Sequence, residues 1–575
     1  MIRPGLSTAA LQDRRAEQRL GTVRVPGAVW IAVGLAVLAA ASLTYLSRHL
    51  DFFGDEWTFA MVRRGWTLGS FFRPHNEHLV AALALIYKLL FATVGMRSYL
   101  PYMLCLEVLH AATGIVLFLL VRRRAGDVLA LCAVALFLFM AHGAENLFWA
   151  FQMSFVGSTC FGLLAILILD RLHLDRVRLA LASAALLVSL LFSGVGLFFL
   201  TAVAVDLFFD RERRRYLVAV AVPTLFYLLW FASYGIKGVT AHRSPLTLTG
   251  FLSLGSFIPT GIGAAISGLF SFGAMWAILV LPVACVLLAI RYLRRGSIDA
   301  RSLGLMAGLV TQYGLTGLVR SQFGDVQSAS YRYIYVAGAF LLPLFADAMR
   351  DLPWSRVWQA ALAVVTVGAL VHGAPFLHGF EVGRTAMIRA QDAQFAAALA
   401  FRGAPDLQLD NPLAPEPGSL RVSARQYYAI VDTMGTPLQV SGPDSLRGMI
   451  QPSIDQAMLT MFGPALRVTA TASTQTPSSG TGCQAFDPAS DRLVDLAVRS
   501  GSAIDLVPAG RTTIDFYLSY VADPGPQPLK TFTLSPGQVY EVHVPDAGKP
   551  IAWRLRLAGT MPGPLGICPA GGPAP

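Results

Sequence analysis

Charged residues are scarce in this chain, and lysine is scarcer still. Only 14% of the 575 residues are Asp, Glu, Lys or Arg, whereas 55% are hydrophobic. Lysine occurs only at Lys88, Lys237, Lys530 and Lys549, which leaves 41 of the 45 basic residues as arginine. This composition is typical of an integral membrane protein. The net charge of +11 does not indicate a nucleic-acid partner, because the arginines recur in segments between apolar runs.

The sequence also lacks three motifs that identify common enzyme classes. The sequence has no P-loop, no Rossmann glycine fingerprint and no GxSxG elbow placed where such a motif could act. ATP-driven transport and serine hydrolysis therefore lose support.

Apolar runs fill the first two thirds of the chain. A membrane-crossing helix needs about 20 apolar residues. The first run is too long for a signal-peptide core and is predicted to be a retained span. Eleven crossings are predicted, at 28–48, 99–121, 127–142, 153–170, 179–193, 195–209, 216–234, 272–291, 303–320, 332–349 and 357–374. The run 179–209 is treated as a hairpin that turns at Ser193-Gly194, and the run 250–270 is predicted to be interfacial or re-entrant, because either alternative would move an arginine-rich loop to the other side.

The arginines of the short loops predict the orientation. They cluster at 122–124, 171–178, 211–215, 291–301 and 350–356, all on the side of the N-terminus. The positive-inside rule makes this side cytoplasmic. The expected arrangement is a cytoplasmic tail at 1–27 and a transmembrane domain at 28–374 with an outward loop at 49–98. The excess of arginine over lysine favours the inner (plasma) membrane of a bacterium as the location.

After residue 374 the composition becomes soluble in character. A linker region with a helix near 385–402 is predicted for 375–480, and a sandwich-like β domain for 481–575. Hydrophobic and polar residues alternate at 514–520, 539–544 and 553–557, which indicates half-buried strands. The predicted fold class is a polytopic α-helical membrane protein of about 11 transmembrane helices with a C-terminal extracytoplasmic β-rich domain.

The cysteines divide into two groups. Four of them lie in predicted spans, where cysteine most often acts as a small apolar residue: Cys105, Cys132, Cys160 and Cys285. Cys483 and Cys568 bracket the strand-like region and are predicted to form a disulfide in an oxidising compartment. The alternative is two free thiols that flank the domain.

Three acids follow the first span in the stretch DFFGDEW. Asp51, Asp55 and Glu56 lie where a helix leaves the bilayer, and a carboxylate there is costly unless it faces water, a partner or a substrate. A solvated loop is a sufficient explanation for Asp51 alone. The aromatic, basic and histidine-rich residues that follow make Asp55 and Glu56 candidates for a functional site.

The layout of residues 28–215 resembles the membrane glycosyltransferases of the GT-C superfamily, with protein O-mannosyltransferases and the lipid A aminoarabinose transferase the most similar in pattern. The features that carry the resemblance are an apolar span, the Asp55-Glu56 pair, a helix ending near Gly65-Trp66, a turn containing Asn76, the run YKLLFATVG at 87–95 and a span closed by three arginines at 122–124.

The resemblance implies transfer of a sugar from a polyprenyl-phosphate donor, on the outer face, to a carbohydrate, lipid or protein acceptor, with membrane lipid around the enzyme. It implies that Asp55 is at the reaction centre, with Glu56 beside it in the catalytic pair. A positioned carboxylate can take the proton of an acceptor hydroxyl while C1 of the sugar is attacked from the face opposite the phosphate, which inverts the anomeric centre. Asp51 would then contribute to substrate binding.

The chain departs from this family where relatives often carry Lys-Pro-Pro or His-Pro-Pro, since here the residues are EHLV at 77–80. His75, Asn76, Glu77 and His78 are candidates for substrate binding. Two histidines three residues apart would share a helical face and could bind a divalent metal, while hydrogen bonding to sugar or phosphate explains them equally well. No cofactor is certain from the sequence.

A leaving phosphate requires cations. Arg320 and Arg332 lie on the predicted outer face, where arginine can bind phosphate by two hydrogen bonds while Tyr331 or Tyr333 lines the lipid path. Snorkelling towards lipid headgroups is the alternative for both arginines. Lys88 and Arg73 are further candidates. In the second outward loop, Glu145 is either a second acid of the site or an exposed helix cap.

Two other functions compete with the enzyme. A polyprenol-linked glycan flippase or other transporter would bury charges midway along its spans and often shows internal repeats, whereas here the acids gather at one face. A non-enzymatic envelope-assembly protein would use the tail as a binding module and leave Asp55 dispensable.

Overall fold

The computed structural model describes residues 25–171, 173–236, 248–352, 354–413, 422–471, 483–486, 493–523, 525, 527–560 and 563–570. Most of the predicted cytoplasmic tail, 1–27, lies outside these residues. The chain forms two compact units, which are presented separately. The first unit contains the described residues up to Leu50, together with Arg63–Leu90 and Leu100–Arg384. The second unit contains Asp51–Val62, Phe91–Tyr99 and the described residues from Thr385 onward.

The structure is helical as far as the strands of the tail. The first ten helices are α1 (Ala28–Leu46), α2 (Asp55–Val62), α3 (Leu68–Phe72), α4 (Ala81–Thr93), α5 (Leu100–Ala125), α6 (Asp127–Leu138), α7 (Ala144–Leu147), α8 (Met153–Leu169), α9 (Arg176–Phe192) and α10 (Gly196–Phe209). The next nine are α11 (Val218–Trp230), α12 (Leu248–Leu252), α13 (Leu254–Leu269), α14 (Ala277–Arg295), α15 (Ala300–Arg320), α16 (Tyr331–Met349), α17 (Arg356–Ala400), α18 (Ala424–Met434) and α19 (Gln451–Phe462).

Within the part of the chain that the structure describes, nine helices are long and apolar enough to cross a membrane. They are Ala28–His49, Leu100–Ala125, Ala150–Leu169, Arg214–Gly235, Gly250–Leu269, Ala277–Arg295, Ala300–Phe323, Tyr331–Met349 and Arg356–Ala400. Eight of them coincide with predicted crossings. The predicted crossing at 127–142 corresponds to α6 with Ala141–Leu147, a pair bent by 50° that counts as a tenth candidate if it is one span.

The structure bears on two further predictions about the spans. The run 179–209 does divide at Ser193–Val195, but α9 and α10 have only 17 and 14 residues, fewer than the roughly 20 that a straight crossing needs. Gly250–Leu269, predicted to be interfacial or re-entrant, has the length and composition of a crossing helix. Both of its ends nevertheless lie at the same end of the neighbouring helices, because a Cβ at Gly317 would lie 2.5 Å from Leu254 and one at Gly268 would lie 2.9 Å from Ile334. This placement agrees with the prediction. The small residues of this helix allow close packing within the first unit, since Gly261 lies against the Tyr313 ring and Gly263 against Ala277.

One end of these helices is an ion-pair network of six arginines and six aspartates, which we call the aspartate end. Its members are Arg124, Arg213, Arg291, Arg295, Arg301, Arg350, Asp170, Asp206, Asp210, Asp299, Asp347 and Asp351. Asp206 accepts hydrogen bonds from Arg301 at 2.8 Å and from Arg213 at 3.2 Å. Equal numbers of opposite charges meet here, so each buried ion has partners that offset its desolvation.

The second unit contains two antiparallel sheets. The strands are β1 (Arg467–Thr471), β2 (Gln484–Phe486), β3 (Leu493–Arg499), β4 (Ala503–Pro508), β5 (Thr512–Ser519), β6 (Lys530–Leu534), β7 (Val539–His543), β8 (Ala552–Thr560) and β9 (Leu565–Pro569). Their order is β1-β7-β4-β9-β2 in one sheet and β3-β8-β5-β6 in the other. Ile514, Phe516 and Leu555 are fully buried on the predicted alternation, which confirms the β-rich tail. β1 places the start of this region earlier than residue 481.

The predicted disulfide is present in this unit. Cys483 and Cys568 are bonded, with Cα atoms 4.2 Å apart, and they pack beside Val507 and Val539. The bridge closes a separation of 85 residues and joins the segment before β2 to β9. Such a bond is expected to persist only in an oxidising compartment, which agrees with an extracytoplasmic tail.

Candidate functional site

The opposite end of the same helices has a different charge chemistry. Arg301 belongs to the aspartate end, whereas Arg320 is the last residue of the same helix, α15. At 1.5 Å per residue the two lie about 29 Å apart, close to the thickness of the hydrocarbon core. α16 begins there with Tyr331 and Arg332. We call this region the glutamate end, after its two acids, Glu77 and Glu145.

Residues 75–78 form a tight turn in the first unit. The backbone N–H groups of His75 and His78 each donate to the other residue's carbonyl at 3.0 Å. Asn76 adopts a positive φ of 52°, which asparagine tolerates better than most residues. The predicted helical face shared by the two histidines is therefore wrong, because the pair closes a two-residue turn. Glu77 and His78 leave this turn as neighbours.

Glu77 links this turn to the end of α15. Its Oε1 accepts a hydrogen bond from Nη2 of Arg320 at 2.8 Å and lies 3.6 Å from Nε2 of His78. Burial acts to raise the pKa of Glu77, but the charges of His78 and Arg320 outweigh it and hold the pKa below its usual value. Glu77 is therefore ionised at neutral pH, and the ion pair with Arg320 is formed.

His78 occupies a space that Gly194 leaves open. A Cβ at position 194 would lie 2.7 Å from Nδ1 of His78, so a larger residue at the break between α9 and α10 would displace the ring. Phe155 of α8 flanks the ring edge-on, with the ring centroids 6.1 Å apart. About 30% of the His78 side chain is nevertheless accessible. The ring is therefore enclosed on most sides but still open to a ligand.

The electrostatic surroundings of His78 show which groups are close to it. Removal from water lowers the pKa of its imidazole, Glu77 opposes this, and the positive charges of Arg320, His75 and Arg332 lower it further. His78 is therefore neutral at pH 7 and available as a hydrogen-bond partner. The Phe155 ring lies 6.1 Å from the His78 ring and 6.5 Å from the ring of Tyr333, the residue after Arg332. The ends of α15 and α16 therefore belong to one cluster.

Arg332 is held by the acid of the second predicted outward loop. Its Nη2 lies 3.3 Å from Oε1 of Glu145, which belongs to the short helix α7. Asn146 is buried and donates from Nδ2 to the Arg332 carbonyl at 3.5 Å. Glu145 is therefore a member of the cluster and not an exposed helix cap, whose carboxylate would face water.

Two tyrosines border the cluster. The charges of both arginines and both glutamates act on the Tyr333 hydroxyl, and the Arg332 guanidinium lies 5.8 Å from the Tyr333 ring. Tyr331 faces an aromatic group instead, with Phe376 and Phe380 at centroid distances of 5.4 and 5.7 Å.

Two predicted phosphate ligands have other contacts. Lys88 is buried and donates from Nζ to the carbonyl of Arg63 at 2.6 Å and to that of Gly65. Arg73 is exposed, and its carbonyl accepts from Nη2 of Arg63 at 2.7 Å. Lys88 therefore stabilises the loop backbone.

The three acids of DFFGDEW belong to the second unit. Asp55 is the first residue of α2 and is half-buried. Glu56 is fully buried and accepts hydrogen bonds from the Tyr99 hydroxyl at 3.0 Å and from the Phe53 N–H at 2.8 Å. Asp51 accepts from the Phe52 N–H at 2.7 Å, and burial raises its pKa to about 7. Of the three, Glu56 has the contacts of a structural residue.

Some members of this end were missed in the sequence. Gly194 and Asn146 are contiguous with predicted features, but nothing in a single sequence indicates that one makes room for His78 and the other binds the Arg332 backbone. Arg384 of α17 is a third arginine of the first unit here, 5.5 Å from the rings of Trp149 and Phe380. The sequence feature that could have indicated Arg384 is a basic residue ten positions after the last predicted span.

The chemistry of the glutamate end suits an oxyanion. Two guanidinium groups, a neutral imidazole and tyrosine hydroxyls can all donate hydrogen bonds, and each arginine has one glutamate that it can exchange for an incoming anion. In the part of the chain that the structure describes, no three His, Cys, Asp or Glu side chains are placed to hold a metal ion.

Comparisons with known proteins returned two solved structures. No protein-family profile and no curated protein matches the sequence. The chain is similar to two crystal structures of ArnT from Cupriavidus metallidurans, one in the apo state and one bound to undecaprenyl phosphate. Each is 16% identical to this chain and covers 72% of it and 86% of the ArnT chain, with TM-scores of 0.47 and 0.46.

Proposed function

We propose that this protein transfers a sugar from a polyprenyl-phosphate donor to an extracytoplasmic acceptor. The observation that carries the proposal is two ion pairs at one end of the membrane helices, Arg320 with Glu77 beside His78 and Arg332 with Glu145. A lipid phosphate lies at headgroup depth, which is where a crossing helix ends. Two arginines there can hold the phosphate while its tail stays in the hydrocarbon.

The glutamates make this binding reversible. In the unliganded protein Arg320 is paired with Glu77 and Arg332 with Glu145. An incoming phosphate competes with these carboxylates, so the arginines are neither unpaired before binding nor bound too tightly after it. His78, neutral without ligand, gains affinity for a proton when an anion approaches and can then donate to the phosphate.

Asp55 is proposed as the general base. The acceptor hydroxyl or amine attacks C1 of the sugar opposite the phosphate; the C1–O bond breaks and polyprenyl phosphate leaves with the electron pair. Asp55 receives the acceptor proton, and the single displacement inverts the anomeric centre. Asp51, His75 and Asn76 remain proposed substrate contacts, and Glu56 is proposed to support the loop.

The orientation follows from the same assignment. We place the aspartate end in the cytoplasm and the glutamate end outside, in a bacterial inner membrane. The disulfide predicts an extracytoplasmic location for the C-terminal tail. The arginine-rich loops then obey the positive-inside rule, and the disulfide lies in an oxidising space.

The test replaces Asp55 by Asn and by Ala in membranes supplied with radiolabelled polyprenyl-phosphate sugars and an extracted envelope acceptor. Both variants should lose transfer by about 100-fold or more while still binding the donor, since a positioned base contributes about 10²–10⁴-fold. Asp515→Asn is the matched control for loss of a carboxylate, because Asp515 on β5 of the tail is half-buried, as Asp55 is. Full transfer by both Asp55 variants would remove the enzyme assignment and favour a transporter or scaffold.

A further inference from the structure

The helix that begins with Asp55 is held within the second unit by residues of the distant tail. Trp57 is buried, and its ring lies 4.6 Å from Phe395 and 5.6 Å from Tyr427. Phe395 and Tyr427 stack on each other at 4.2 Å with their planes 11° apart. These three rings come from α2, the end of α17 and α18, so helices more than 330 residues apart in sequence share one aromatic core.

Backbone contacts support the same segment. Gln391 donates from Nε2 to the Phe52 carbonyl at 2.7 Å, three residues before Asp55. Trp57 donates from Nε1 to the same carbonyl at 3.0 Å. The Met96 N–H donates to the Met434 carbonyl at 2.8 Å, which ties residues 91–99 to the end of α18. The turn into α2 is thus fixed by two side chains that bind the Phe52 carbonyl, and residues 91–99 are attached to α18.

α18 is itself a rigid support. It begins with a capping box in which Ser423 and Gln426 satisfy each other's backbone N–H groups. Tyr427 lies one turn further on, is fully buried and shares a hydrogen bond with Thr436 at 3.2 Å. A buried ring on a capped helix has little freedom, so it can fix the position of Trp57.

We infer that Tyr427 and Phe395 are positioning residues for Asp55, so that the C-terminal tail contributes to the transfer reaction by orienting its base. Trp57 is two residues from Asp55 on a short helix of eight residues. A shift of its ring therefore moves the carboxylate. A misplacement of about 1 Å at a reacting group can cost about 100-fold in rate. This inference rests on the proposed role of Asp55.

The experiment measures transfer by the full-length enzyme in detergent, per amount of folded protein, with polyprenyl-phosphate sugar as the probe. Tyr427→Leu and Phe395→Leu should each lower kcat by about 10- to 100-fold, with the donor KM changed less than about twofold. Tyr427→Phe keeps the ring and should recover most of the loss. Tyr428→Leu is the matched control, because Tyr428 is its buried neighbour on α18 but contacts Ala398 and Arg402.

A double-mutant cycle separates this inference from the proposed function. In the Asp55→Asn background, Tyr427→Leu should have no further effect on kcat, because there is no base left to displace. An active Asp55→Asn enzyme would overturn both proposals. An inactive Asp55→Asn enzyme together with normal kcat in Phe395→Leu and Tyr427→Leu, or equal losses in Tyr427→Leu and Tyr428→Leu, would overturn only the positioning role.

Discussion

The two ends of the membrane helices use arginine in opposite ways. At the aspartate end, Arg301 and Asp347 are nearly inaccessible, and every arginine of the network has at least one aspartate within 4 Å. At the glutamate end, Arg320 and Arg332 keep 28% and 38% of their side-chain surface accessible and have one glutamate each. The first arrangement stabilises a fold, because its buried charges are paired with one another. The second leaves donors that a ligand can reach.

The largest effect is expected where the aspartate end is broken. Asp206→Asn should leave the Arg213 and Arg301 guanidinium groups without their shared carboxylate, and removing one partner of a buried pair costs about 3–5 kcal/mol. Thermal unfolding in detergent should show a clear loss of stability. The control is Asp351→Asn, whose side chain is 46% exposed and should matter little. Equal stability of the two variants would show that the network is not structural.

Next in size is the loss of the exchangeable arginines. Arg332→Ala and Arg320→Ala should each raise the donor KM by about 10- to 100-fold, because a charge-assisted hydrogen bond contributes about 1.5–3 kcal/mol. Their unfolding temperatures should stay near that of the parent. Arg48→Ala is the control, since Arg48 is exposed and binds the Tyr45 carbonyl at 2.6 Å. Loss of folded protein without a change in the donor KM would show that Arg320 and Arg332 stabilise the fold, as the arginines of the aspartate end do.

A smaller effect is expected at the glycine beside the histidine. Gly194→Ala places a Cβ 2.7 Å from Nδ1 of His78 and should force the ring off its rotamer. That strain costs about 0.5–1.5 kcal/mol and should weaken donor binding by about two- to tenfold. Gly255→Ala, where the new Cβ has open space, is the matched change. Donor titration followed by protein fluorescence distinguishes the two, and identical affinities would contradict the contact.

The smallest expected effect is a pH dependence of the glutamate end. Because the folded pKa of His78 is lowered below 6.5, the unfolded chain binds more protons there as the pH falls through that value, and the folded state loses stability on acidification. The Glu77 ion pair behaves similarly but only at lower pH, since its pKa lies below 4.5. His78→Gln should flatten the change in unfolding temperature between about pH 7.5 and pH 5.5.

Added polyprenyl phosphate should act in the opposite direction. An anion beside His78 favours the protonated ring, so the ligand should protect the parent more at about pH 5.5 than at pH 7.5. The same protection in His78→Gln would show that the imidazole takes no part in binding.

Local patterns in the sequence predicted much of the fold. Alternation at 514–520 placed β5, and the only two cysteines outside the spans predicted the disulfide. The interfacial or re-entrant placement of Gly250–Leu269 came from loop charges, whereas hydropathy alone would have made this segment a crossing helix. Hydropathy alone does not give helix length, so the sequence did not predict that α9 and α10 have only 17 and 14 residues.

The sequence predicted which types of residue form the candidate site, but not which partner each charged side chain binds. Arg320, Arg332 and Glu145 were identified as polar residues at the same predicted face, and they do belong to one cluster. Lys88 and Glu56 had equally suitable chemistry, yet both are buried. Lys88 donates a hydrogen bond to the Arg63 carbonyl, and Glu56 accepts one from the Tyr99 hydroxyl. Nothing local distinguishes a charge that stabilises a loop from one that is accessible to a ligand.

Composition and periodicity alone determined that this chain is a membrane protein with a β-rich tail, because hydrophobic length and alternation are local properties. Only the tertiary structure decided which charges are available. Glu77 and Arg320 are 243 residues apart in the chain, and Trp57 reaches Tyr427 only through folding. Burial and pairing set the chemistry of a charged group, and both depend on neighbours that the chain brings together only when it folds.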